Sequence, residues 1–176
     1  MKTKLLALAA GLLVLLATHT TAMAAAVAST YDVLVTNYDV AFPGGSLGEG
    51  PLDTVALNGQ ISFVARYVPP NPIQPQAYVK ALAIPALTGL GDSTFREYQA
   101  NGSSTPTTNA YPTDPLRLLF ETRLISHFYP VDPITPNPPE AAQIYTLLVD
   151  ATLQFDAAQA LNSVTINSIT VPPAGL

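Results

Sequence analysis

Proline leaves this chain few places for a helix. Twelve of its 17 prolines gather in three clusters: Pro69, Pro70, Pro72 and Pro75; Pro106, Pro112 and Pro115; and Pro130, Pro133, Pro136, Pro138 and Pro139. A proline ring fixes φ, removes a hydrogen-bond donor and clashes with the preceding helical turn. Each cluster therefore reads as an extended connection, and the structure must be built from the segments between them.

Those segments alternate with period two. Tyr145, Leu147, Val149, Ala151, Leu153 and Phe155 face one way, and Thr146, Asp150, Thr152 and Gln154 the other. Ile61, Phe63, Ala65 and Tyr67 do the same, as do Tyr31, Val33 and Val35. From Leu116 onward, Leu118, Phe120 and Leu124 oppose Arg117, Glu121, Arg123 and His127. Successive strand side chains point to opposite faces, so each run predicts a strand with one buried face. Residues 53–57 and 77–84 carry weaker versions of the pattern. Residues 163–171 predict a last strand whose apolar positions change face, from Val164 and Ile166 to Ile169 and Val171. A bulge near Asn167 or Ser168 accounts for that change. Residues 156–161 and 139–143 are the two candidates for a single helical turn. Tyr31-Asp32-Val33 recurs as Tyr38-Asp39-Val40, too short a unit to mark a repeat.

Seven or eight short strands with turn signals between them predict an all-β fold, an antiparallel β-sandwich with Pro-rich loops occupying residues 25–176. An outer-membrane barrel is the rival. Against it stand the absence of tryptophan and polar faces too mixed for a lipid-facing band.

Residues 1–24 read as a cleavable signal peptide. Lys2 and Lys4 precede the uncharged apolar run 5–17, a polar stretch follows, and Ala22-Met23-Ala24 supplies the small-x-small cleavage pattern. Cleavage is expected after Ala24, with Ala26 as the alternative. The expected location is therefore secreted, either extracellular or periplasmic, with no membrane insertion of the mature chain. Cleavage leaves five basic residues against 12 acidic ones, a net charge of −7. No basic patch remains, so nucleic acid is not an expected partner.

The inventory of reactive groups is poor. The chain has no cysteine, and the mature part has one histidine, His127. Cysteine nucleophiles, thiol redox chemistry and a Cys/His zinc site are excluded. A serine hydrolase would have to use His127, but adjacent Ser126 points to the opposite strand face and no G-x-S-x-G turn exists. No calcium loop of the D-x-D-x-D-G type is present, and the glycine-rich segment 44–50 lacks the Lys-Ser/Thr ending of a phosphate loop. No cofactor and no metal are expected.

Three functional readings follow, in this order. The first is an exported, non-enzymatic structural or interaction protein of the cell exterior, a matrix, surface or filament component. Its partner is another protein or a second copy, engaged by β-strand addition through residues 30–40. The second is a carbohydrate- or small-ligand-binding module using Tyr67, Tyr98, Tyr111 and Tyr129 as a stacking platform. The third is a hydrolase working through two converging carboxylates, one of them poorly solvated.

Overall fold

The computed structural model describes residues 27–42, 53–92, 96–106, 115–127 and 143–172. The expected signal peptide, Tyr111 and Tyr129 lie outside them. Seven strands are present: β1 (Val27–Phe42), β2 (Asp53–Val68), β3 (Tyr78–Gly91), β4 (Glu97–Asn101), β5 (Leu116–His127), β6 (Gln143–Phe155) and β7 (Leu161–Thr170). Among the described residues there is no helix. Residues 156–160 form a hairpin turn instead, in which the Asp156 carboxylate accepts from the Ala158 and Ala160 amides. Residues 139–142 of the other candidate helical turn are outside the described residues, and Gln143 opens β6.

The expected sandwich is replaced by one nearly closed sheet. Every strand pairs antiparallel with the next in sequence, in the order β1-β2-β3-β4-β5-β6-β7. A sandwich requires the chain to pass between two sheets, and here no connection does so. The sheet instead rolls until β7 approaches β1, as in an up-and-down barrel. One face is buried in either architecture, so the alternation holds while the assembly differs.

Several irregularities bend the wall. In β1, Thr36 and Asn37 together oppose Asn58 of β2, and the register shifts there. Asn37 takes φ 48°, and its amide donates to the Asn58 side-chain carbonyl at 2.9 Å. This bulge also explains the two Tyr-Asp-Val triplets. Their spacing of seven would place them on opposite faces, and one extra residue restores both tyrosines to the same side. The neighbouring device is Gly59, in register with Val35, at φ 139°. The expected bulge in the last strand is present as well: Asp150 pairs with Ser168 and Ala151 with Ile166, leaving Asn167 unpaired.

The weak segment 77–84 extends to Gly91 through Pro85, a residue disfavoured inside a sheet. Ala83 exchanges both backbone hydrogen bonds with Ser104, so its polar groups point toward the β4 side. Those of Pro85, two residues on, point the same way. The missing donor thus falls opposite Gly102, between the pairs Ala86–Asn101 and Ala83–Ser104, where the chain leaves the ladder.

The interior is a packed apolar core drawn from all seven strands. Phe63 of β2 and Phe120 of β5 meet edge-on at its centre, with centroids 5.5 Å apart. Apart from the buried Asp53, the described charges lie mostly on the outside. Asp32, Asp39, Arg66, Lys80, Glu97, Arg117, Glu121 and Arg123 are all exposed.

One outer cluster ties the β7 bulge down. Arg117 Nε donates to both oxygens of Asp150 at 2.9 and 3.0 Å, its Nη2 also reaches Oδ2, and Asn167 donates to Asp150 Oδ1 and Thr152 Oγ1. The Arg117 hydrogen bond holds the Asp150 carboxyl below its ordinary range, against an opposing push from burial, with Asn167 and the Arg117 charge adding to the lowering. A depressed carboxyl contributes stability above its unfolded pKa, and that contribution is lost as pH falls through the folded value. Urea midpoints measured down a pH series are therefore expected to decline less steeply for Asp150→Asn than for wild type at acid pH. The difference is small, because Arg117 is mostly exposed, and it shrinks further in high salt.

Candidate functional site

The strands place the tyrosines far apart. Tyr67 lies near the end of β2, in register with Val79, and Tyr98 lies in β4 opposite Gly89. Val79 and Gly89 are ten residues apart on β3, or roughly 33 Å at the rise of a strand. Tyr67 and Tyr98 are therefore at opposite ends of the barrel. Tyr98 is also only 3 % exposed. It packs inside with Phe42 and Tyr145, at centroid distances of 4.6 and 6.3 Å, and its hydroxyl donates to Asp53 Oδ2 at 3.2 Å. This is core packing with a polar handle, since a buried phenol needs a partner for its hydroxyl. These two side chains do not form a shared stacking platform.

Among the described acids, Asp53 is the buried one. Asp32, Asp39, Asp92, Glu97, Glu121 and Asp156 are exposed, and Asp150 is engaged by Arg117. Asp53 accepts the Tyr98 hydroxyl in a structural contact. The expected pattern of two carboxylates across a cleft is not met by Asp53 and Asp150, which sit inside and outside the wall respectively. Ser126 is buried, as its strand position required, and His127 pairs with Glu97 through the backbone. An open depression over the outer surface of β2, β3 and β4 is bordered by Asn58, Thr88, Leu90, Asp92, Glu97 and Gln99. Its lining mixes polar side chains with apolar ones such as Ala56 and Leu90. Among the described residues no cluster of three or more His, Cys, Asp or Glu side chains is placed to hold a metal ion.

The distinctive feature is the seam between β1 and β7. In a meander each strand reverses direction, so the first and seventh of an odd set run parallel. The sheet does not close by a ladder: β1 and β7 are its two edges. Among the described residues, two side chains carry hydrogen bonds across the gap. The Leu161 amide donates to Ser29 Oγ at 2.6 Å, and the Ile169 amide donates to the Tyr38 hydroxyl at 3.1 Å. A serine bridge requires close strands, whereas a tyrosine bridges with the length of its ring. β1 is thus held by a ladder on one side and by two isolated side-chain bonds on the other.

Residues 30–40, expected from sequence to pair with another chain, lie within β1 and are paired with β2 except at the Thr36–Asn37 bulge. The bridging roles of Ser29 and Tyr38 carry no sequence signal, because they exist only once the sheet has curled. No family model, no curated protein and no solved structure matches this chain.

Proposed function

We propose that the protein is an exported, non-enzymatic interaction protein that assembles with copies of itself by exchanging β1. The observation that carries this reading is the parallel seam. A terminal strand hydrogen-bonded along one edge leaves a sheet at lower cost than an internal strand, and an unpaired edge is a template for another chain. Residues 43–52, which join β1 to β2, include four glycines and are long enough to serve as a hinge. Swapping an identical element through such a hinge adds few new contacts and needs no new surface. In the exchanged state the β1 of one copy occupies the β1 position beside β2 of the next.

Two further features support the reading. Outward charges over an apolar interior are the reverse of a lipid-facing barrel. The side chains that usually perform chemistry are scarce, and the buried acid is committed to Tyr98.

The test is the quaternary state of the protein lacking its first 24 residues, followed by light scattering over a wide concentration range and by electron microscopy. Concentration-dependent dimers, rings or fibres are expected. A species that stays monomeric at the highest concentration reached would count against β1 exchange.

A further inference from the structure

The dipeptide Asn-Gly occurs twice, at Asn58-Gly59 and at Asn101-Gly102, and the fold treats the two in opposite ways. Asn58 sits in the middle of β2. Its side-chain carbonyl accepts from the Asn37 amide and its amide donates to the Ala56 carbonyl at 3.2 Å. Gly59 is in register with Val35 on one side and Leu87 on the other, pressed against the Ala86 carbonyl. Neither the side chain nor the following backbone nitrogen can shift without opening β2.

Asn101 ends β4, and both it and Gly102 are exposed. Gly102 lies at the gap that Pro85 makes in the ladder, at φ 111°, with open space where a Cβ would stand. Asn101, Gly102 and Ser103 line an open outer groove of about 440 Å³ with Glu121, Thr122 and Arg123, so water reaches the site.

We propose that Asn101 is a site of spontaneous deamidation while Asn58 is protected. The Gly102 backbone nitrogen, losing its proton to hydroxide, bonds to Asn101 Cγ. The bond from Cγ to Nδ2 breaks, and ammonia leaves with a proton from solvent. The resulting succinimide is opened by one water at either carbonyl, giving aspartate or isoaspartate. No oxidant or reductant takes part. Either product adds a negative charge to an already acidic chain. Isoaspartate also lengthens the backbone by one carbon just before the Ser104–Ala83 pair, which re-attaches the chain to β3.

The experiment is peptide mapping by mass spectrometry of the folded wild-type protein held at mildly alkaline pH, beside the same protein in urea. Conversion is read as a mass gain of about one dalton with a new carboxylate. In the folded protein, conversion at position 101 is expected to run at least about tenfold faster than at 58, because Asn58 must first lose its hydrogen bonds and its strand must open. In urea the two rates are expected to converge. Asn101→Gln is expected to abolish the early acidic species while keeping the amide. Equal conversion at both positions in the folded protein overturns the proposal. So does an unmodified Asn101 in the folded protein under conditions where the denatured chain converts at both.

Discussion

Replacing Gly59 by alanine is expected to lower stability by about 3–5 kcal/mol, combining the strain of a non-glycine residue in a sparsely allowed backbone region with broken ladder bonds. The cause is local and geometric. A Cβ at Gly59 would lie 2.1 Å from the Ala86 carbonyl oxygen and 3.1 Å from Leu87 Cα. Both are backbone atoms of β3, so no rotamer change relieves the contact. β2 must move away from β3 beside the β1 bulge, at the corner where the sheet turns. Gly102→Ala is the control. Its φ of 111° is also unfavourable for alanine, but nothing lies within 4 Å of its added methyl, so roughly 1–2 kcal/mol is expected from backbone strain alone. Urea denaturation of the two variants separates the contributions. A Gly59→Ala midpoint no lower than that of Gly102→Ala would contradict the close approach of β2 to β3. Typical domains have only about 5–15 kcal/mol in total, so the Gly59 variant is expected to be marginal.

Phe120→Ala is expected to cost about 3–5 kcal/mol by leaving an unfilled space in the core. Phe120 is fully buried on β5, paired across the ladder with Val149, and its ring meets Phe63 of β2. The two rings link strands that share no ladder. The rings share the core with the fully buried Leu57, Ile61, Leu124 and Leu147 and with smaller alanines at 65, 81, 83, 100 and 151. Phe63→Ala is expected to have a similar effect, and the double variant to fall short of additivity by about 0.5–1.5 kcal/mol, the range for an aromatic pair. Thermal or urea unfolding of the four proteins closes the cycle. Strict additivity would mean that the rings do not act on each other.

Much of the strand content was legible in the sequence. The runs beginning at Leu116 and Tyr145 face as their alternation requires, and the face change in the last strand marked the Asn167 bulge. The architecture was not legible. Alternation reports that one face of a strand is buried, and a sandwich and a rolled sheet bury one face alike. The difference rests on curvature, set by the Thr36–Asn37 bulge and by Gly59, whose positive φ the sequence does not display. The weak pattern over 77–84 stopped short of Pro85, whose missing donor coincides with a gap in the neighbouring strand. Tyr98 looked available for stacking because it follows a loop, and the structure turns it inward to Asp53. The seam residues Ser29 and Tyr38 were invisible for the same reason as the barrel: their partners, 131 and 132 residues away, are set by closure.

The exchange of β1 is tested most directly by locking the seam. Ser29 and Leu161 adjoin across it, and the chain contains no cysteine of its own, so a Ser29→Cys, Leu161→Cys pair forms a single defined crosslink. A disulfide holds Cα atoms about 4–7 Å apart, a separation consistent with the bond between these residues, and it would prevent β1 from leaving its own barrel. The account predicts that the oxidised protein stays monomeric by light scattering at concentrations where the same protein assembles once reduced. Equal assembly of the oxidised and reduced forms would contradict it.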